Sequence, residues 1–115
     1  MSETEIKEIQ WTLHETHPER VPEVRARLSE VIDPEIGMNI IQLGLVRNVE
    51  IENDMARLKM ILTTPFFPYG PALIEQIREK VQEATQLVTR ITMGLEMWDP
   101  TMMEDQAAAN WGLYY

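Results

Sequence analysis

The chain has 115 residues, a formal net charge of −9 and no cysteine. This length suits one domain with one core, and an acidic surface disfavours nucleic-acid binding because it repels phosphate backbones. The missing cysteines exclude disulfides, thiolate nucleophiles and cysteine-held zinc or iron–sulfur clusters within the chain. We expect a cytoplasmic protein, because no stretch approaches the ~20 apolar residues of a membrane span and the acidic N-terminus does not resemble a secretion signal.

Two short amphipathic helices are predicted before residue 34. The apolar stripe of the first consists of Ile6, Ile9 and Leu13. The second opens near Pro22, a residue favoured in the first turn, and Asp33-Pro34 is expected to end it. Its apolar stripe consists of Val21, Val24, Leu28 and Val31. The residues from Glu35 to Gly44 are expected to form a loop.

From Leu45 the apolar period changes to two, which indicates β-strands. The inward face of the first strand consists of Leu45, Val49 and Ile51, with Arg47 as an exception. Asn53-Asp54 suits a two-residue hairpin turn, because both residue types tolerate positive φ. A second strand would then run from Met55 to Thr64. This register places Val49 opposite Leu58, Ile51 opposite Ala56 and Glu50 opposite Arg57, which pairs apolar with apolar and acid with base.

A proline-rich connection leads into a longer helix, and a third strand follows it. The buried stripe of the helix is predicted to be Leu73, Ile77, Val81 and Ala84. The apolar face of the third strand is predicted to be Ile91, Met93, Leu95 and Met97. Because a helix joins them, strands two and three should be parallel with a right-handed crossover.

A capping-box spacing from Thr101 to Glu104 predicts a last short helix through Ala109. The predicted fold class is therefore α+β, with two layers and the element order α-β-β-α-β-α. A three-stranded mixed sheet is covered by helices on one face. We expect a single domain over residues 1–115, with residues 1–20 as an N-terminal helical extension.

Few residues outside this scaffold suggest chemistry. His14 and His17 have a spacing that could place two imidazoles on one metal, but two ligands do not make a site, and surface histidines are expected. The methionines on the strand faces are expected to fill the core. Neither serine has a histidine nearby in sequence and no glycine-rich phosphate loop is present, so hydrolase, kinase and dinucleotide-binding functions have no support.

Short motifs occur in a characteristic order: Asp33-Pro34-Glu35, Leu43-Gly44-Leu45-Val46, Thr63-Thr64-Pro65 with Pro68 and Gly70, and Trp98-Asp99-Pro100. Their order and spacing resemble the metal–sulfur cluster biosynthesis family, which includes PaaD-like and SufT-like proteins. The resemblance runs from about Val24 to Leu113 and implies the iron–sulfur cluster assembly domain fold. It also implies a family cleft at Asp33, Glu35, Thr64 and Phe67. The family cysteine falls at Phe67, and the Pro-Trp pair that usually follows Trp98-Asp99-Pro100 is missing.

The resemblance implies an accessory or adaptor role in the maturation of iron–sulfur or other metal-cluster proteins. Without the cysteine, we expect a protein that binds clients or cluster-assembly proteins, is not an enzyme, and holds no cofactor or metal. One alternative is an assembly or accessory subunit of a multicomponent oxygenase, as in phenylacetate degradation. A second is a metal enzyme that uses Asp33, Glu35 and Thr64, since carboxylates bind hard cations. Turn formation explains Asp33 and Glu35 equally well.

The C-terminus is unusually apolar for a chain end. Its large side chains are Trp111, Leu113, Tyr114 and Tyr115. Such patches often mark interfaces. We expect them to be buried either against the sheet of the same chain or across a homodimer, and we expect neither nucleic acid nor membrane as a partner.

Overall fold

A three-stranded sheet in the order β1-β2-β3 lies at the centre of the computed structural model, which describes residues 8–64 and 68–104. β1 (Val46–Glu52) is antiparallel to β2 (Met55–Met60), and β2 is parallel to β3 (Val88–Met93). Helix α4 (Gly70–Thr85) connects the two parallel strands. The mixed sheet and the α+β class predicted from sequence are confirmed.

The hairpin between β1 and β2 has the predicted register. Val49 lies opposite Leu58, Ile51 opposite Ala56 and Glu50 opposite Arg57. Asn53 and Asp54 form the turn with φ angles of 56° and 59°. Two successive left-handed residues match the right-handed twist of the flanking strands, so the turn fixes the pairing.

Arg47, the exception in the alternating pattern of β1, lies at a β-bulge. The pairing passes from Val46 opposite Met60 to Asn48 opposite Lys59, which leaves Arg47 as the extra residue. An extra residue shifts the alternation by one. Val46 and Val49 therefore both reach the buried face, although three positions separate them.

Between residue 8 and β1 lie three short helices, α1 (Thr12–Thr16), α2 (Val21–Leu28) and α3 (Ile40–Leu43), and a 3₁₀ turn at Pro18–Arg20. All four predicted stripe residues of the second helix are buried. The loop expected from Glu35 to Gly44 contains α3 instead. Asn39 Oδ1 accepts from Gln42 N over 2.8 Å, and Gln42 Oε1 accepts from Asn39 N over 3.2 Å. This reciprocal capping stabilises a single helical turn.

The core lies between the sheet and the helices. On α4 the residues Leu73, Ile77 and Val81 are buried as predicted, whereas Thr85 is buried and Ala84 only half-buried. Ile91 and Leu58 are partners in the parallel ladder. Within the described ranges, no helix is long and apolar enough to cross a membrane.

The segment after β3 differs from the sequence prediction. β2 ends at Met60 rather than Thr64, and β3 ends at Met93, so Leu95 and Met97 do not belong to a core-facing strand. They are 98% and 77% exposed, and Met93 is 42% exposed. The last pair of the parallel ladder is Met60 with Met93. Because β2 ends at Met60, the described chain offers no strand with which residues 95 and 97 could pair.

The predicted capping box at Thr101 is wrong. Asp99 caps a 3₁₀ turn at Pro100–Met102 instead, by accepting from Thr101 N over 2.7 Å. Glu104 bonds elsewhere: its side chain pairs with Arg25 and its N–H donates to Gln42 O over 3.0 Å. The rest of the helix predicted through Ala109 lies outside the described residues, as do Ile6, Phe67 and the four C-terminal apolar residues.

Candidate functional site

A groove opens at the carboxyl ends of the parallel strands β2 and β3. Its volume is about 430 Å³. It is lined by Leu62, Thr63, Met93, Gly94, Leu95, Glu96, Met97 and Trp98. Ligands of sheets with parallel strands commonly bind outside the carboxyl ends, because the segments leaving neighbouring strands diverge there. The lining is mostly apolar, so the groove suits an apolar group or side chain better than an ion.

Trp98 forms a fixed wall of this groove. Its indole N–H donates to Leu43 O over 2.7 Å. Next to Leu43, Gly44 has a φ of 76°, and a Cβ there would lie 2.1 Å from Met102 O. Only glycine permits both the left-handed conformation and this close approach. The Leu-Gly motif therefore holds the segment from Trp98 to Met102 against the body of the domain.

Of the described residues that line the groove, Glu96 alone carries a charge. Its carboxylate lies 3.7 Å from Arg47 Nε and 4.0 Å from Lys59 Nζ. Arg47 also donates to Gly44 O over 3.0 Å, so the β-bulge brings a cation to the rim. Opposite charges close to Glu96 offset its own, which leaves the groove without a strong net charge.

Beyond Trp98, the Asp99 side chain organises the next turn. Its Oδ1 accepts from both the hydroxyl and the backbone N–H of Thr101. Both hydrogen bonds lower the pKa of Asp99, and the one from the Thr101 hydroxyl has the larger effect. A carboxylate that stabilises local backbone in this way is a capping residue.

Asp33 is fully buried behind the groove, and its two carboxylate oxygens have different partners. Oδ1 accepts from Glu35 N over 2.9 Å and from Ile36 N over 3.3 Å. Oδ2 accepts from the Thr63 hydroxyl over 3.4 Å. The carboxylate thus forms an Asx turn and links the loop after α2 to a residue that lines the groove.

The residues of the family cleft are only partly brought together. Asp33 contacts Thr63 rather than lining the groove itself. Glu35 is exposed, with its N–H turned to Asp33. Thr64 is half-buried next to Thr63, and Phe67 lies outside the described residues.

A metal centre has no support in the described part of the chain, where no group of three or more His, Asp or Glu side chains converges. His14 Nδ1 accepts from Trp11 N over 2.9 Å. His17 Nδ1 instead lies 2.8 Å from the Thr16 hydroxyl. The two imidazoles therefore have separate local partners.

Sequence reasoning missed the groove as such. It assigned Met93, Leu95 and Met97 to a core-facing strand because they alternate, and it took Trp98 only as part of a motif. The available signal was topological: parallel strands end at the same edge of a sheet, so the segments after Met60 and Met93 had to start side by side and border a common crevice. Alternation cannot show where strand pairing stops.

Comparison with known proteins gives a consistent result. A family model described as iron–sulfur cluster assembly protein matches residues 22–93, more than half of the chain. A Porphyromonas gingivalis protein named Fe-S protein maturation auxiliary factor is 35% identical over 89 residues, covering 74% of this chain and 84% of the relative. The corresponding Staphylococcus aureus factor, SufT, is 32% identical over 77 residues, covering 65% and 84%.

A solved structure agrees on the fold. The crystal structure of a domain of unknown function from Bacillus anthracis superimposes with a TM-score of 0.72 at 24% identity. The superposition covers 84% of this chain and 95% of the other. At this identity the likeness concerns the fold alone.

Proposed function

The chain belongs to the iron–sulfur cluster assembly protein family, and from this premise we propose that it is an accessory protein in iron–sulfur protein maturation that acts by binding. The supporting observation is the combination of a family fold with an apolar groove and a complete absence of cysteine. Iron–sulfur clusters are held mainly by thiolates. The chain therefore acts on clusters through partner proteins rather than as a ligand.

The apolar groove supports a protein partner. Leu95 and Met97 leave most of their surface in water, and exposed apolar patches of this kind mark interaction sites. Methionine adapts its shape to different apolar surfaces. The proposed ligand of the groove is an apolar side chain from a client or from a cluster-assembly protein.

A catalytic role has little support from the geometry. The Asp33 carboxylate is committed to the turn and to Thr63, and Glu35 points into solvent at the surface. A hard cation prefers several converging oxygen ligands. The oxygenase-assembly alternative is not favoured, because the curated relatives are named as iron–sulfur maturation factors.

The same proposal includes one domain over residues 1–115 and a cytoplasmic location. It also assigns Trp111, Leu113, Tyr114 and Tyr115 to an interface, either with the domain's own sheet or with a second copy. Aromatic residues are enriched at the centres of interfaces.

Cluster transfer in vitro tests the function. A scaffold protein loaded with a cluster and an apo iron–sulfur enzyme from the same host are mixed with and without this chain. The chain is expected to accelerate enzyme activation, and Met97→Glu should abolish the acceleration because it places a charge in the apolar groove. Ala26→Glu is the matched control: Ala26 is an exposed apolar residue on α2 and does not line the groove. Equal activation rates with and without the wild-type chain would overturn the proposal.

A further inference from the structure

The two edge strands of the sheet, β1 and β3, differ in whether other residues cover their outer side. Along β1, the Trp11 indole donates to Val46 O over 3.2 Å, and Asn48 Oδ1 accepts from Thr12 N over 2.7 Å. Helix α1 and the residue before it therefore cover that edge. Along β3, residues 8–64 and 68–104 provide no partner other than β2. An uncovered edge is a template for another strand.

The backbone groups directed away from β2 can be identified. Gly94 N donates to Met60 O over 2.7 Å, so the N–H of residue 94 points towards β2. Backbone groups alternate in direction along a strand. Thr89, Ile91 and Met93 therefore direct their N–H and C=O groups outwards, where a further strand would bind.

Apolar side chains lie at both ends of this edge. Val88 at the start of β3 is 64% exposed, and Leu95 just after its end is 98% exposed. A second groove of about 550 Å³ lies at the start of β3, and its lining combines Leu87 and Val88 with four polar residues: Glu79, Gln82, Glu83 and Gln86. Exposed apolar surface at both ends of one edge suits an antiparallel partner that carries the same features.

We propose that β3 pairs with β3 of a second copy of this chain, antiparallel about a two-fold axis at Ile91, to form a continuous six-stranded sheet. Ile91 then lies opposite Ile91 of the second copy, and Thr89 lies opposite Met93. These are the outward-directed residues, and such opposed residues exchange two hydrogen bonds per pair. The inference does not depend on the proposed function.

Charge and side-chain direction select this register over its neighbours. Directly opposed side chains share a face of the sheet, so the pairing register can change only in steps of two residues if the apolar faces are to stay together. A step of two in the register moves the two-fold axis by one residue. An axis at Arg90 would place two arginines directly opposite, and Arg90 already lies beside Arg57 of β2. The axis at Ile91 places Arg90 opposite Thr92. It also preserves all the outward hydrogen bonds from Thr89 to Met93.

The same register brings the exposed ends together. With the axis at Ile91, Leu95 of one copy aligns with Leu87 of the other, at the groove beside α4. β3 ends at Met93, so Leu95 lies two residues beyond the strand and is free of the core. Leu95, the most exposed apolar side chain of the described chain, thereby lies next to Leu87 on each side of the axis, at the edge of a groove that is otherwise lined mainly by polar side chains.

Single-cysteine variants test the register, because the chain contains no other thiol. In a two-fold pair, a cysteine lies directly opposite the same cysteine of the second copy only when the axis passes through that residue. The three variants that distinguish the axes at 90, 91 and 92 are Arg90→Cys, Ile91→Cys and Thr92→Cys. Disulfides need Cα atoms less than about 7 Å apart, so Ile91→Cys should cross-link about tenfold faster than the other two under mild oxidation. Faster cross-linking of Arg90→Cys or Thr92→Cys, or a wild-type mass equal to the 13.4 kDa of one chain at every concentration, would overturn the proposal.

A charge pair at position 92 gives a second measurement that leaves the core untouched, since Thr92 is exposed. Thr92→Glu should tighten the dimer Kd by roughly two- to thirtyfold, because each copy would place an acid opposite Arg90. Thr92→Lys should weaken it by a similar factor. Analytical ultracentrifugation measures both, and a Kd unaffected by either substitution would contradict the assigned pairing.

Discussion

The Thr63 hydroxyl donates to Asp33 Oδ2 over 3.4 Å and joins the loop after α2 to the groove at the carboxyl ends of β2 and β3. The other carboxylate oxygen caps the backbone of Glu35 and Ile36. Asp33 is fully buried, whereas Glu35 is exposed. The two acids of the Asp-Pro-Glu motif therefore have different roles.

Asp33→Ala is expected to lower the free energy of unfolding by about 1–3 kcal/mol, because it leaves buried backbone donors without an acceptor. Asp33→Asn should cost less, since its amide oxygen can still accept. Glu35→Ala is the control and should stay within about 0.5 kcal/mol of the wild type. Urea denaturation measures all three. Equal losses for Asp33→Ala and Glu35→Ala would contradict the assignment of Asp33 as the turn-forming residue.

The hairpin turn allows a stabilising substitution. Asp54 has a φ of 59°, a conformation that costs most residues roughly 1–2 kcal/mol and glycine almost nothing. Asp54→Gly should stabilise the protein by about 0.5 kcal/mol after the entropy of glycine in the unfolded chain is subtracted. Asp54→Ala, the control, should destabilise it. Thermal denaturation measures both, and a loss of stability in the glycine variant would show that the turn is not left-handed at this residue.

Sequence predicted most of the fold because local signals agreed. The positive-φ residue types at Asn53-Asp54 fixed the register of β1 and β2, and the apolar stripe of α4 required a crossover between parallel strands. The helix α3 was missed although Asn39 and Gln42 have capping-box spacing, because a single turn carries too short an apolar pattern.

The site was less predictable because it depends on where pairing stops. Leu95 and Met97 alternate like strand residues, yet their partner strand β2 ends at Met60. The motifs that carry the family resemblance contain both Asp33 and Trp98. They did not indicate that Asp33 bonds to Thr63 behind the groove while Trp98 forms its wall.

Isolated protein is expected to remain colourless after anaerobic incubation with iron and sulfide. The chain offers no thiolate, and thiolates are the usual ligands of iron–sulfur clusters. Visible absorption after gel filtration is the measurement. A stoichiometric chromophore on the isolated chain would contradict the prediction, whereas a cluster shared with cysteines of a partner would require that partner to be present.

The contribution of Glu104 to the free energy of unfolding is expected to fall as the pH rises, whereas that of surface acids with a lowered pKa rises. Burial raises the pKa of Glu104, although Arg25 at 3.1 Å opposes the shift. A raised pKa means that the folded state binds the proton more tightly than the unfolded state. The contribution of Glu104 to stability is therefore greatest below about pH 4.5 and falls as the pH rises through its folded pKa.

As the pH rises from about 4 to 7, the free energy of unfolding of Glu104→Gln should therefore increase relative to that of the wild type. A second effect, the weaker contact of the amide with Arg25, should lower the stability of the variant by the same amount at every pH. Glu75→Gln is the control of opposite sign. Its hydrogen bond with Arg78 lowers the pKa of Glu75, so this variant should lose relative stability over the same range. Denaturation at several pH values measures both slopes, and slopes of the same sign would refute the prediction for Glu104.

Phe67→Cys restores the thiol that the family resemblance places at this position. Helix α4 begins at Gly70, three residues further on, and a helix N-terminus stabilises negative charge. If the loop keeps the family geometry, the pKa of the new thiol should fall below the ~8.5 of a free cysteine. The rate of alkylation against pH measures it without interference, because the chain has no other cysteine. Glu52→Cys is the control, since residue 52 is exposed at the end of β1 and lines neither groove, and its thiol should titrate near the free value. An equal or higher pKa for Phe67→Cys would mean that position 67 does not face the start of α4, and Phe67 would then no longer belong to the proposed cleft.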